Sequence, residues 1–119
     1  MASALGLWLA LKELGKTVDT VCVDPIPYQF QFLSGSQAIK RDFFLGDYDV
    51  VVTLDCGDAK RTGFSPRLKE LVRNKQLILV NIDHHPKNDL HMLATFNIID
   101  FSAPSTSFLV AQLIHDLHI

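Results

Sequence analysis

Runs of consecutive apolar residues alternate with amphipathic stretches along this chain, and the two periods predict its elements. Residues 3–14 carry Leu5, Leu7, Trp8, Leu9, Leu11 and Leu14, apolar on nearly all sides of a helix, and Gly15 offers its C-terminal stop. A helix with so little polar surface expects cover on more than one face. Residues 17–23 alternate as a strand does and close on Asp24-Pro25-Ile26-Pro27, where the prolines forbid regular structure. Residues 28–41 predict irregular chain, with Phe30, Phe32 and Leu33 packed down and Gly35 turning it. Residues 48–55 predict a second strand. After a turn-rich loop, Ser65 caps and Pro66 opens a helix to about residue 74, with Leu68, Leu71 and Val72 on its inner face. Residues 77–82 predict a third strand and 96–99 a short fourth. Ser102 or Ser105 caps a last helix with the stripe Val110, Leu113, Ile114 and Leu117.

Strands of continuous Val, Ile and Leu separated by helices mean parallel β-structure covered on both faces, so the expected fold is α/β, a three-layer, mainly parallel sheet flanked by helices. No internal repeat, low-complexity tract or linker interrupts the pattern. The 119 residues, 48% of them hydrophobic, suit one domain with a modest core. A formal charge of −2 with no long run of either sign excludes an electrostatic platform for a nucleic-acid backbone, though a small local phosphate site needs none. The apolar opening lacks a basic flank and a cleavage site, is interrupted by Lys12-Glu13 and is too short to span a bilayer, which favours the cytoplasm and no membrane partner. Cys22 and Cys56, in or beside strand-like segments, read as free buried thiols in a reduced compartment.

The chemistry concentrates at two strand ends. Asp83-His84-His85 follows the apolar run 77–82, and Asp55, followed by Cys56-Gly57-Asp58, ends the run 48–54. Open α/β sheets place ligands at the C-terminal ends of their strands, so two strands that each deliver metal-type side chains to one rim form a site candidate. Asp58 reads as a loop cap, Asp24 as a turn residue and Asn88 as a pin for the loop after the histidines. His91, His115 and His118 match no motif and read as surface residues, and Trp8, Phe30 and Phe32 read as core formers. Neither glycine-rich nucleotide loop is present.

Residues 81–88, Asn-Ile-Asp-His-His-Pro-Lys-Asn, resemble the signature of the DHH phosphoesterases. That superfamily includes RecJ-type exonucleases, exopolyphosphatases, family II pyrophosphatases and the NrnA or nanoRNase oligoribonuclease–pAp phosphatase group. Residues 51–58 resemble its second motif, while residues 32–35 and Ser105-Thr106-Ser107 resemble the nanoRNase-like branch in particular. The segment Met1-Ala2-Ser3-Ala4-Leu5-Gly6 looks like the tail of the family's first motif. The resemblance thus implies that residues 1–119 are a partial DHH catalytic domain. Its first strand, the His and two Asp of the first motif, and a C-terminal substrate domain would lie outside it.

The activity implied by the resemblance is hydrolysis of phosphoester bonds in short oligonucleotides or nucleoside 3′,5′-bisphosphates, with two ions, Mn²⁺ or alternatively Mg²⁺, in the complete domain. Asp55 would bridge the metals and His84 would ligate one. His85 would face the substrate phosphate as a hydrogen-bond donor, and Asp83 would orient the neighbouring imidazole. Polyphosphate or longer single-stranded DNA is the second substrate reading, and a non-catalytic binding module the third. Two such ligands cannot fix a two-metal centre, so this chain alone is expected to be inactive. An uncovered sheet edge predicts low stability or self-association, a homodimer being the simplest form.

Overall fold

Three short strands build the sheet on which everything else rests. In a computed structural model that describes residues 1–74 and 77–119, the elements are α1 (Ala2–Glu13), β1 (Val50–Leu54), α2 (Ser65–Asn74), β2 (Ile78–Asp83), α3 (Asp89–Leu93), β3 (Phe96–Ile99) and α4 (Thr106–Asp116). The strands lie in the order β1-β2-β3, all parallel, with Leu54 opposite Ile82 and Ile82 opposite Ile98. Parallel neighbours need crossovers, and α2 and α3 supply them.

The period of two along each strand sorts side chains into two cores. Val52, Leu54, Val80, Ile82 and Ile98 face one side, where they meet Leu7 of α1 and Leu109 and Val110 of α4. Val51 and Leu79 face the other, against Leu68 and Leu71 of α2 and Leu90 of α3. The three layers and the parallel sheet are those the sequence pattern predicts. Helix α1 packs along α4 and buries Leu5, Leu7 and Ala10, while Leu9 on its other side stays exposed. It ends where expected, with Gly15 left-handed at φ 75° and its N–H donating to the Lys12 carbonyl.

The α2 face of the sheet also carries a polar row, buried at Thr53 and Asn81 and exposed at Asn97 on the edge strand. Thr53, Asn81 and Asn97 are in register across the three strands. Thr53 Oγ1 donates to Asn81 Oδ1 at 3.0 Å, Asn81 Nδ2 donates to Asn97 Oδ1 at 3.2 Å, and Asn97 Nδ2 donates to the His91 carbonyl at 3.0 Å. Asn81 is fully buried, and this pairing is what makes a polar centre tolerable there.

Several expectations fail, each for a local reason. Residues 17–23 form no strand. Only Val21 bridges, to Lys40, because the segment facing it turns immediately on either side. The alternation is present, but a strand needs an extended partner of its own length. Cys22 is therefore exposed rather than buried. Tyr28, Phe30 and Phe32 are exposed, Phe32 by 80%, since short 3₁₀ turns at Tyr28–Phe30 and Ser36–Ala38 hold the segment on the surface. Trp8 is half-buried over Gly35, and its indole N–H donates to the Val18 carbonyl at 3.1 Å. Leu117 lies past the end of α4 and is exposed, while Leu109 takes the buried place on the stripe. No helix among the described residues is long and apolar enough to cross a membrane.

Candidate metal centre

Adjacent parallel strands finish at the same rim, and that alone brings the two motifs together. Asp83 is the last residue of β2 and Asp55 follows the last residue of β1. The Asp55 N–H donates to the Ile82 carbonyl at 3.1 Å, which extends the ladder by one rung. Asp55 then turns left-handed at φ 58°, a conformation that aspartate tolerates better than most side chains but that still costs energy. The turn delivers its carboxylate to the rim, about half exposed (47%). Asp55 Oδ1 lies 3.4 Å from His84 Nε2 and 3.7 Å from His85 Nδ1. Ligand-type atoms of Asp55, Asp83, His84 and His85 all fall within 4.8 Å of one another. The four residues singled out from the sequence are thus brought together.

The second contacts of each imidazole decide what it offers. His84 Nδ1 sits 3.1 Å from the Ala103 carbonyl. A carbonyl only accepts, so this nitrogen carries a proton, and in the neutral ring Nε2 is the lone-pair nitrogen, 3.4 Å from Asp55 Oδ1. Two lone pairs then converge on the space between His84 and Asp55, the arrangement that a shared cation satisfies. The donor set of one imidazole and one carboxylate, beside further carboxylate and imidazole, fits a hard or borderline divalent ion. His85 Nδ1 lies 2.5 Å from Asp83 Oδ1.

Asp83 is fully buried and is the post to which the whole loop is tied. Its Oδ1 accepts the backbone N–H groups of His84 (2.7 Å) and His85 (3.2 Å), and its Oδ2 accepts that of Gly57 (3.0 Å). Burial pushes the Asp83 carboxyl up. The hydrogen bonds from the His85 ring and from the Gly57, His85 and His84 backbone more than offset this and hold it below the usual carboxylate range. Cys56, between the two motifs' contacts, is a free thiol pushed up to about 11 by burial, which leaves it protonated and a poor ligand.

The sequence motifs alone do not reveal one partner of the site. Thr106, buried in the first turn of α4, donates from Oγ1 to Asp55 Oδ1 at 3.0 Å. Ser105 caps the same helix, its Oγ accepting from the Phe108 N–H at 3.2 Å, which selects it over Ser102. The turn 103–106 thereby orients both Asp55, through Thr106, and His84, through Ala103. Thr106→Val removes the donor and keeps the shape. It is expected to weaken Mn²⁺ binding about tenfold, with Thr106→Ser restoring it, as read by calorimetry.

The surrounding loops follow or correct the sequence reading. Asp58 caps the Arg61 N–H at 2.9 Å, as expected of a loop cap. Asn88 caps α3, a short helix the periodicity does not predict, by accepting from the Leu90 N–H at 2.9 Å. Its own N–H donates to His91 Nδ1 at 3.1 Å. His91 is thus half-buried and structural rather than a surface residue, and its Nε2 has no partner among the described residues. His115 and His118 are exposed, as read from the sequence.

The model of the DHH family, N-terminal domain, matches residues 1–119, the whole chain. This chain belongs to the DHH family. That places it in a phosphoesterase superfamily. The crystal structure of an exopolyphosphatase-related protein from Bacteroides fragilis shares the DHH-domain fold described above, with a TM-score of 0.78 over 98% of the chain at 24% identity. The chain spans about a third of that protein, 35% of its length.

Proposed function

We propose that this rim is part of a metal-dependent phosphoesterase centre, acting on phosphoester bonds of short oligonucleotides or nucleoside 3′,5′-bisphosphates. The observation that carries the reading is the approach of His84 Nε2 to Asp55 Oδ1 at 3.4 Å, with each side chain already oriented by a second partner. Asp55 and His84 would hold Mn²⁺ or Mg²⁺. When bound, such ions supply Lewis-acid polarisation of the phosphoryl group and a nucleophile usable near neutral pH.

The residues of this chain supply the rest. His85, tethered through Nδ1 to Asp83, keeps Nε2 for a phosphoryl oxygen. Donation from that nitrogen requires the doubly protonated ring, and Asp83 provides the counter-charge for that form. Asp83 acts on the imidazole and on the loop rather than on substrate. The nucleotide preference draws on the nanoRNase-like segments 32–35 and 105–107. A polyphosphate substrate is the second reading, favoured by the name of the structural neighbour.

Among the described residues, this is the cluster that gathers metal-type ligands, and two direct donors do not saturate two ions. The 119-residue chain is therefore proposed to bind Mn²⁺ and nucleotide without turning over. The test is a titration of the Mn²⁺-loaded chain with a diribonucleotide, a nucleoside 3′,5′-bisphosphate and tripolyphosphate, with hydrolysis followed in parallel. Tighter binding of the two nucleotides is expected, and the reverse order would move the assignment to polyphosphate. Binding that ignores Mn²⁺ would remove the phosphoesterase reading. Turnover well above the metal-only rate would show that Asp55 and His84 suffice.

A further inference from the structure

The rim carries a guanidinium that the metal centre does not use. Gly57 is left-handed at φ 75°, and the Cβ it lacks would stand 3.2 Å from Arg61 Nη1, 3.6 Å from Arg61 Cδ and 3.9 Å from His85 Cγ. Arg61 and the His85 ring therefore flank one glycine, and the absence of a side chain there lets the guanidinium lie against the loop that joins the two motifs. The backbone angle favours glycine at this position, and the missing Cβ leaves room for this approach.

Three other cations, Arg67, Arg41 and Lys40, are engaged elsewhere. Arg67 pairs with Asp42, donates to the Phe43 carbonyl and lies over Phe43 and Phe64. Arg41 donates to the Val23 carbonyl, and Lys40 pairs with Asp19. Arg61 is exposed and, among the described residues, forms no ion pair. Its sequence neighbour Asp58 accepts from the Arg61 backbone instead. An unpaired planar fork beside a histidine and a metal-type cluster suits one ligand chemistry above others, a phosphate monoester, whose oxygens match the guanidinium two at a time.

We propose that Arg61 binds a terminal phosphate of the substrate, next to the group that His85 faces, and so selects nucleotides that carry a phosphate monoester. This rests on the phosphoesterase reading and names the substrate feature that the site requires. Arg61 is a binding residue here, with no part in holding the metal.

The probe is adenosine 5′-monophosphate, titrated into the ¹⁵N-labelled 119-residue chain with EDTA and again with Mg²⁺, and adenosine is the control. The monophosphate, but not adenosine, should move the Arg61 Nε–H resonance. Arg61→Ala should weaken its binding about tenfold, with Arg61→Lys intermediate because it keeps the charge and loses the fork. Arg73→Ala, which removes a cation from the last turn of α2, should change nothing. Equal losses in the Arg61 and Arg73 variants, or no monophosphate binding at all, would overturn the assignment. Mg²⁺ alone, followed at the His84 ring, reports separately on the metal. A chain that takes up Mg²⁺ but treats Arg61→Ala like the parent overturns the Arg61 proposal alone. A chain that never takes up Mg²⁺ overturns the reading on which it rests.

Discussion

Asp83→Asn is expected to lower the unfolding free energy by about 3 kcal/mol. Four donors converge on the wild-type carboxylate: three backbone N–H groups and the His85 ring. An asparagine keeps one acceptor oxygen and turns its NH₂ toward at least one donor, the Gly57 N–H if the oxygen stays with the histidine loop, which removes the charge from all four bonds and leaves that N–H without a partner. The midpoint of thermal unfolding should fall by roughly 10 °C for a domain of this size. Circular dichroism under heat and urea measures both. A loss below about 1 kcal/mol would mean that the carboxylate is not the anchor described.

The same residue sets an acid limit. Its folded-state carboxyl is held below the usual range, so the unfolded chain binds this proton more readily than the folded one. The stabilisation is therefore complete above the unfolded carboxyl value, about 3.9, and is lost as pH falls from there through the lower folded value. Asp19, Asp42 and Asp100 are also held low, each chiefly by a side-chain hydrogen bond. The parent and Asp83→Asn share those three groups. The difference between their urea midpoints at neutral and at acid pH isolates Asp83. The gap between the two proteins should narrow in acid.

Asp55→Ala and His84→Ala should each weaken Mn²⁺ binding by at least about 100-fold, because a direct ligand cannot contribute less than the partners that orient it. The double variant should lose little more than either single one, since the remaining donor cannot hold the ion alone. Both side chains stand at the surface end of the sheet, so stability should change little. Electron paramagnetic resonance of free Mn²⁺ gives the affinities directly. Parent-like affinity in either variant would place the ion elsewhere.

The rim was legible because its logic is strand topology. Runs 48–54 and 77–82 read as parallel strands, and such strands end at one edge of a sheet; the structure pairs them directly. Asp55, Asp83, His84 and His85 needed no further information to be brought together. Thr106 was not legible in this role, because its bond to Asp55 joins residues 51 positions apart and depends on the docking of α4. Arg61 was hidden for a similar reason, since it reaches the rim only through the left-handed turn at Gly57. The errors lie where local pattern lacks a tertiary partner. Residues 17–23 alternate properly but form a single β-bridge, Val21 with Lys40. Phe30 and Phe32 are aromatic, yet 3₁₀ turns carry them outward. His91 looked like a surface residue because its bond to the Asn88 N–H belongs to a helix of five residues, too short to leave a period in the sequence.

The amide and hydroxyl row through Thr53, Asn81 and Asn97 gives this rim its alignment from within the sheet. Sliding β2 by one position would press the Asn81 amide into hydrocarbon, strand its neighbours' polar atoms and carry Asp83 away from Gly57. Hydrocarbon side chains alone would let the strands shift at modest cost. The polar row makes one offset far better than the next, and that offset sets the two carboxylates level.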